Sequence, residues 1–253
     1  MNRRNFEFEN FEWIDIEDPT PASLSAVELP FSIDENFLED ALEAGHLPKI
    51  EKSKDYVFMI LRAYTATESE KAIEVGEISN KIAFFIYKNT LVTIHRAPFK
   101  FIDTTPKNLE SIDAVVLYLV KELLTTFEKP IKIQSDKMDE LERNIFLKGG
   151  NNLSIEKLYF EKSKARLAKK ILLIMQNVIT QFVVEDNLAS TLQDIKDTTL
   201  DLILRTEEVV EDANALLNSY MTFTAQKSND VMKLLTIFSA FFLPLTFIAG
   251  VYG

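Results

Sequence analysis

The sequence has no cysteine, two histidines and six glycines among its 253 residues. Without thiols the chain can form neither disulfides nor thiolate metal sites. The two histidines, His46 and His95, are too few for a histidine-based zinc cluster. Any metal bound by this chain would therefore be held by oxygen, which favours hard cations such as Mg²⁺.

Motifs of several enzyme classes are also absent from the sequence. The chain has no P-loop, no G-x-S-x-G, no G-x-G-x-x-G and no His-Glu-x-x-His. The few glycines leave little room for loops that cradle phosphates. We therefore expect no enzymatic activity and no organic cofactor, with an enzyme anchored by one membrane helix as the alternative that a hydrolase screen would reveal.

The charge distribution argues against nucleic acid as a partner. The net charge is -11 and the pI is about 4.8, whereas phosphate binding needs clustered Lys and Arg. Residues 1–48 hold twelve Asp and Glu against Arg3 and Arg4. The N-terminus lacks the apolar stretch of a signal peptide. We expect residues 1–233 to lie in the cytoplasm.

The most informative absence is that of charge in residues 234–253. A helix needs about 20 apolar residues to cross a bilayer core of about 30 Å. We therefore expect a first membrane helix here, cut in mid-element and lacking a second one after it. One row, which begins at residue 225 and continues through this region, steps by four and three and is mostly small or polar, which is typical of helix contacts or an aqueous path. Its members are Ala225, Asn229, Met232, Thr236, Ser239, Leu243, Thr246, Gly250 and Gly253.

Two kinds of periodicity predict the fold class. Alternating or β-rich segments at 11–16, 56–64, 78–87 and 90–95 predict strands, with Lys88-Asn89 as a hairpin turn. The rest predicts helices at 34–44, 108–147, 154–184 and 189–253, with a turn at 149–152. The result is an α+β (α/β) N-terminal domain, long antiparallel helices and a very long stalk helix entering a membrane. The predicted domains are 1–105, 106–188 (a long helical hairpin), 189–233 (stalk) and 234–253 (membrane).

The stalk carries a heptad pattern. One row contains Ile195, Leu202, Val209, Leu216 and Phe223, and the companion row contains Leu192, Thr199, Thr206, Ala213 and Tyr220. Such a seam predicts a helix that packs along other helices.

Two segments resemble one known family. N-D-V-M-K-L-L-T at residues 229–236 and L-P-L-T-F-I-A-G-V-Y-G at 243–253 closely resemble the CorA family of divalent-cation channels. In that family the second segment continues to Tyr-Gly-Met-Asn. The resemblance implies a homopentamer in the inner (plasma) membrane, with the stalk helices bundled around the axis and continuing as the pore lining.

The resemblance also implies which residues line the pore. Met232, Leu235 and Leu243 match the hydrophobic constriction, and such rings gate by dewetting. Asn229 and Thr246 match polar positions, and Gly250 belongs to the same row. Tyr252 and Gly253 match the start of the selectivity filter, while Asn218 stands where a family member has a pore-mouth Asp.

A regulatory site follows from the same resemblance. Asp40 matches a carboxylate on one side of an inter-subunit Mg²⁺ sensor, and Asp194 matches its partner on the next subunit's stalk, with Glu39 as a further candidate. A cation between facing carboxylates removes their repulsion. Mg²⁺ would then be both the transported ion and the regulator that holds the channel closed.

Three alternatives to a Mg²⁺ channel stay open. A zinc transporter or a cobalt/nickel transporter of the same family shares this architecture, although the low His and Cys counts favour Mg²⁺. A membrane-tethered helical scaffold would explain the heptads but leave the small and polar row of the membrane segment unexplained.

Overall fold

A mixed sheet of six strands lies at the centre of the fold in a computed structural model, which describes residues 1–67, 71–148 and 155–253. The strand order is β1-β2-β6-β5-β4-β3. β2 and β6 are parallel, and the other neighbours are antiparallel. The strands are β1 (Asn2–Glu7), β2 (Glu12–Glu17), β3 (Lys49–Lys52), β4 (Val57–Tyr64), β5 (Ser79–Tyr87) and β6 (Thr90–His95).

Helices cover both faces of this sheet. The short ones are α1 (Pro21–Ser25), α2 (Glu35–Leu42), α3 (Val75–Ile78) and α4 (Lys100–Asp103), and the long ones are α5 (Ile112–Lys148), α6 (Ile155–Gln181) and α7 (Ala189–Tyr252). The three predicted long helices are confirmed, with ends that differ by a few residues. The turn predicted at 149–152 lies outside the described residues. The helix predicted at 34–44 is α2, which ends at Leu42 because Glu43 is already extended.

Side chains alternate along each strand between the two faces of the sheet, and this alternation forms two hydrophobic cores. Trp13, Met59 and Phe84 point to the face covered by the long helices, and they share one core with α5, α6 and α7. Ile14 and Phe58, one residue along their strands, belong to the second core with α1 and α2. Successive side chains of a strand point to opposite faces, so each central strand is apolar on both.

A buried charged network fastens the first strand to the sheet. Asp15 in β2 is fully buried, and Arg4 in β1 donates to its Oδ2 from Nε and Nη2 at 3.0 and 2.6 Å. Thr93 Oγ1 donates to Asp15 Oδ1 at 2.5 Å, and His95 Nε2 lies 3.1 Å from the same oxygen. His95 Nδ1 lies 2.7 Å from the carbonyl oxygen of Ala97, so the ring faces acceptors on both sides.

The long helix α7 has two parts with different surroundings. Its buried residues follow the predicted heptad rows, except Ile203, which lies next to one row, and Phe223 and Tyr220 at the ends of those rows are half-buried. From residue 224 to residue 253 every residue is exposed. At about 1.5 Å per residue the helix is roughly 96 Å long. The buried residues are Leu192, Ile195, Thr199, Leu202, Ile203, Thr206, Val209, Ala213 and Leu216.

The predicted fold class is confirmed: a mixed-sheet N-terminal part, long helices and a very long last helix. The four predicted strands are present as β2, β4, β5 and β6, and Lys88 takes the left-handed conformation (φ 42°) in the predicted hairpin turn. β1 and β3 were not predicted. The domain boundaries stay a prediction.

Candidate cation pathway and cation sensor

The exposed part of α7 has the composition of a membrane helix. Within the described ranges, α7 is the one helix with an 18-residue stretch apolar enough to cross a membrane, and the mean hydropathy of that stretch is 2.2. None of this stretch is buried within the chain. A soluble core helix with this hydropathy would be covered by its own protein. The apolar surface of α7 therefore needs lipid or other protein chains.

The predicted pore residues fall mainly on one side of this helix. At about 100° per residue, Asn229, Met232 and Leu243 lie within about 60° of one another, and Asn218 and Gly250 share that sector. Leu235 and Thr246 lie on its flank, as does Gly253 at the helix end, whereas Tyr252 lies on the opposite side. Met232, Leu235 and Leu243 are 63%, 66% and 70% exposed, so the described part of the chain leaves them largely uncovered.

Threonine hydroxyls in this segment donate inward to their own helix. Thr236 Oγ1 donates to the carbonyl oxygen of Met232 at 2.8 Å, and Thr246 Oγ1 donates to that of Phe242 at 2.9 Å. These bonds use the hydroxyl proton and leave the oxygen lone pairs as acceptors. Pro244 lies inside the helix and lacks an N–H, so the Ala240 carbonyl has no α-helical donor. The segment thus offers oxygen acceptors beside apolar side chains.

The predicted sensor residue Asp40 lies in the last turn of α2 and already has two partners. Lys49 Nζ donates to its Oδ2 at 2.5 Å, and His46 Nε2 lies 3.2 Å from its Oδ1. The Asp40 side chain is 24% exposed. Asp40, Glu43 and His46 can each offer one ligand atom to a metal ion, and these three atoms lie within 4.8 Å of one another. The carboxylates of this group suit a hard cation.

Two buried cations hold the segment that follows Asp40. Arg62 in β4 donates to the carbonyl oxygens of Ala44 and His46 at 3.1 and 2.7 Å. Lys81 in β5 donates from Nζ to the main-chain oxygen of Asp40. The last carbonyls of a helix lack partners within it, and Lys81 satisfies that of Asp40. Arg62 satisfies two carbonyls of the segment after the helix. Burial lowers the pKa of Arg62 to about 10. Burial, assisted by the charge of Arg62, lowers the pKa of Lys81 to about 8.

The other two predicted sensor residues, Glu39 and Asp194, are exposed. Asp194 lies near the start of α7, next to the buried Ile195, and its main-chain oxygen accepts from Thr198 Oγ1 at 2.8 Å. Both carboxylates are therefore accessible from outside the chain. The pairing of Asp40 with Asp194 across subunits stays a prediction.

Sequence reasoning gave no role to the residues that surround Asp40. The spacing of Asp40 and Glu43, three residues apart near a helix end, was a usable signal for neighbouring carboxylates. Lys49, Arg62 and Lys81 had no such signal, because they reach Asp40 and its segment from three different strands.

Comparison with known protein families gives a match over nearly the whole chain. The family model described as "CorA-like Mg2+ transporter protein" matches residues 8–253. The cobalt/magnesium transport protein CorA of Thermotoga maritima is 24% identical over 238 residues, which cover 88% of this chain and 66% of that protein. The protein of the same name from Methanocaldococcus jannaschii is 23% identical, with 100% of this chain and 82% of that protein covered.

Solved structures of similar fold include complete proteins and an isolated cytoplasmic domain. The complete structure of the CorA magnesium transporter from M. jannaschii superimposes with a TM-score of 0.82 at 21% identity, covering 100% of this chain and 82% of that one. The full-length CmaX protein gives 0.81 at 16% identity, covering 96% and 77%. The ZntB cytoplasmic domain from Vibrio parahaemolyticus gives 0.58 at 12% identity, covering 89% and 90%.

Proposed function

This chain belongs to the family of CorA-like Mg²⁺ transporters, and we propose that it conducts Mg²⁺ along a pore lined by the exposed part of α7. The observation that carries the proposal is the uncovered surface of residues 224–253, where a row of small and polar residues runs beside apolar ones. Family membership supports transport rather than catalysis. The names of the two CorA relatives include both cobalt and magnesium, so the choice of ion is part of the proposal.

The channel would be a homopentamer in the plasma membrane, with residues 1–233 on the cytoplasmic side. In this arrangement the row that contains Asn229, Met232 and Leu243 faces the five-fold axis. The larger side chains on the opposite side of the helix, such as Phe238 and Phe241, face lipid or further helices. These two side chains are 53% and 66% exposed within the single chain, so their surface is free for such contacts.

The proposed gate is a ring of Met232, Leu235 and Leu243 side chains. A narrow apolar constriction closes to ions by losing its water, since a hydrated Mg²⁺ cannot shed its shell there. Asn229 and Thr246 would supply oxygen acceptors on either side of Leu243 and Met232. Mg²⁺ gives up water reluctantly, so these contacts would be made to the hydrated ion.

The proposed regulatory site joins Asp40 of one subunit to Asp194 of the next, with Glu39 nearby. All three donors are carboxylate oxygens, the ligand type that Mg²⁺ prefers. A cation bound between the carboxylates stabilises the closed ring more than the open one and so shifts the population toward closed. At low cytoplasmic Mg²⁺ the regulatory site would empty, and the closed state would no longer be favoured.

Ion flux tests the transport function. The purified protein is reconstituted in liposomes, and the entry of Mg²⁺, Co²⁺ and Zn²⁺ is compared. We expect Mg²⁺ entry that falls when Mg²⁺ on the side of the cytoplasmic part rises. Entry that prefers Zn²⁺ would assign the chain to zinc transport, and no flux from correctly inserted protein would favour a tethered scaffold.

Protection from proteolysis tests the sensor. Millimolar Mg²⁺ should slow cleavage near residues 185–200, and Asp194→Ala should abolish that protection. Asp197→Ala removes a neighbouring exposed carboxylate from the same helix. This variant should keep the protection by Mg²⁺. Equal protection of the wild type and Asp194→Ala would contradict the sensor.

A further inference from the structure

The carboxylate of Asp40 is not free within its own subunit. Lys49 Nζ lies 2.5 Å from Oδ2 and His46 Nε2 lies 3.2 Å from Oδ1. Both Asp40 and Lys49 are only about one quarter exposed, at 24% and 23% of their side chains. A partly desolvated ion pair of this kind is stronger than one at an open surface. A divalent cation that approaches Asp40 therefore meets a cation already in place.

Lys49 is held in position by contacts other than Asp40. Its Nζ also donates to Glu51 Oε1 at 2.6 Å. The same atom lies 5.4 Å from the ring centre of Phe37 and 5.2 Å from that of Phe58, within the range of cation–π attraction. The ammonium thus has a second carboxylate to retain it when it leaves Asp40.

The charge of Lys49 is secure at neutral pH. A lysine side chain is an ammonium ion at neutral pH, and the carboxylates of Asp40 and Glu51 both lie within hydrogen-bond distance of Lys49 Nζ. Lys49 therefore carries its positive charge while it contacts Asp40. Ammonium and a divalent cation cannot both contact one carboxylate oxygen without strong mutual repulsion.

We propose that the Lys49 ammonium is a tethered competitor for the divalent-cation site at Asp40. Filling of the site displaces Lys49 from Asp40 Oδ2 and leaves it on Glu51, so Lys49 sets the Mg²⁺ concentration at which the sensor fills. The inference rests on the proposed function, in which Asp40 binds a regulatory cation. It adds a residue that determines the threshold of the sensor without being one of its ligands.

The test is a Mg²⁺ titration of the full chain in detergent, read by chymotrypsin cleavage near residues 185–200. Lys49→Met removes the charge but keeps an unbranched apolar side chain beside Phe37 and Phe58. We expect its Mg²⁺ midpoint to fall by about threefold to tenfold, the effect of one partly buried ion pair. Lys52→Met, which removes an exposed lysine from the same strand, should leave the midpoint within about twofold of the wild type.

An Asp40→Asn background separates competition from a structural effect. In that background Lys49→Met should no longer change the midpoint, because no carboxylate is left to compete for. A Lys49→Met midpoint equal to that of the wild type or of Lys52→Met, with Asp40→Asn still raising the midpoint, would overturn the competitor role and leave the sensor intact. An Asp40→Asn midpoint equal to that of the wild type would overturn the sensor and the role of Lys49 together. Circular dichroism checks folding, and Lys49→Gln replaces Lys49→Met if the latter is unfolded.

Discussion

The two parts of α7 carry the same seven-residue spacing but have opposite surroundings. Between Leu192 and Leu216 the spaced residues are buried against α5 and α6. From residue 224 onward, none is covered. Periodicity therefore identifies which face of a helix makes contact, but not whether the contact is supplied by the same chain. For the second part, lipid and further copies of the chain are the partners that the proposed function assigns.

The first prediction compares the same leucine-to-alanine substitution in the buried part and in the exposed part of α7. Leu202 is 1% exposed and Leu234 is 56% exposed. Leu202→Ala should lower the free energy of unfolding by about 2–5 kcal/mol, since it leaves a cavity in a packed core. Leu234→Ala should change it by less than about 0.5 kcal/mol. Urea unfolding of the detergent-solubilised chain, followed by the fluorescence of the single, buried Trp13, measures both.

Equal losses in the two variants would contradict the division of α7. They would mean that residues 224–253 contribute to the stability of the chain's own fold. A change in the slope against urea, rather than in the midpoint, would point to a different amount of surface exposed on unfolding.

The second prediction concerns the buried charge that fastens β1. Asp15→Asn should cost about 3 kcal/mol, because it leaves Arg4 and His95 without their shared carboxylate in a buried site. Asp103, which also binds Arg4 but is 59% exposed, is the matched control. Asp103→Asn should cost less than about 1 kcal/mol.

The pH dependence of this network has a definite sign. Burial alone would raise the pKa of Asp15, but hydrogen bonds and charge from His95, with further bonds from Thr93 and Arg4, lower it below the ordinary value of 3.8. A carboxyl group whose pKa is lowered by folding contributes its full stabilisation when the pH is above its pKa in the unfolded chain. That contribution is lost as the pH falls from about 4 through the pKa that Asp15 has in the folded protein. Asp15→Asn should flatten the loss of stability in this acid range, and an unchanged acid limb would contradict the role given to Asp15.

The central strands could be predicted from the sequence and the edge strands could not. β2, β4, β5 and β6 are buried on both faces, so their β-rich apolar runs carry the signal. β1 and β3 lie at the two edges of the sheet and consist largely of charged and polar residues. Polar side chains protect an edge from unwanted pairing, and they also erase the alternation that would reveal a strand. β1 depends instead on the contact of Arg4 with a residue in β2.

The candidate site divides in a similar way. The spacing in α7 was enough to place Asn229, Met232 and Leu243 in one sector, because a single helix fixes their relative positions. The surroundings of Asp40 depend on β3, β4 and β5, and no local pattern links Lys49, Arg62 or Lys81 to it. The pairing of Asp40 with Asp194 requires a second subunit, so neither the sequence pattern nor one chain's fold can establish it.

The last prediction tests the exposed part of α7 with the smallest expected change in energy. Leu243 and Leu245 are chemically identical and both lie in the membrane segment, but they are about 160° apart around the helix. In the proposed pore Leu243 faces the axis and Leu245 faces away. Leu243→Ser should raise ion leak in liposomes by roughly tenfold, equal to a barrier lower by about 1.4 kcal/mol, because a polar ring keeps its water. Leu245→Ser should leave leak unchanged, and equal leak from both would mean that this row does not face the pore.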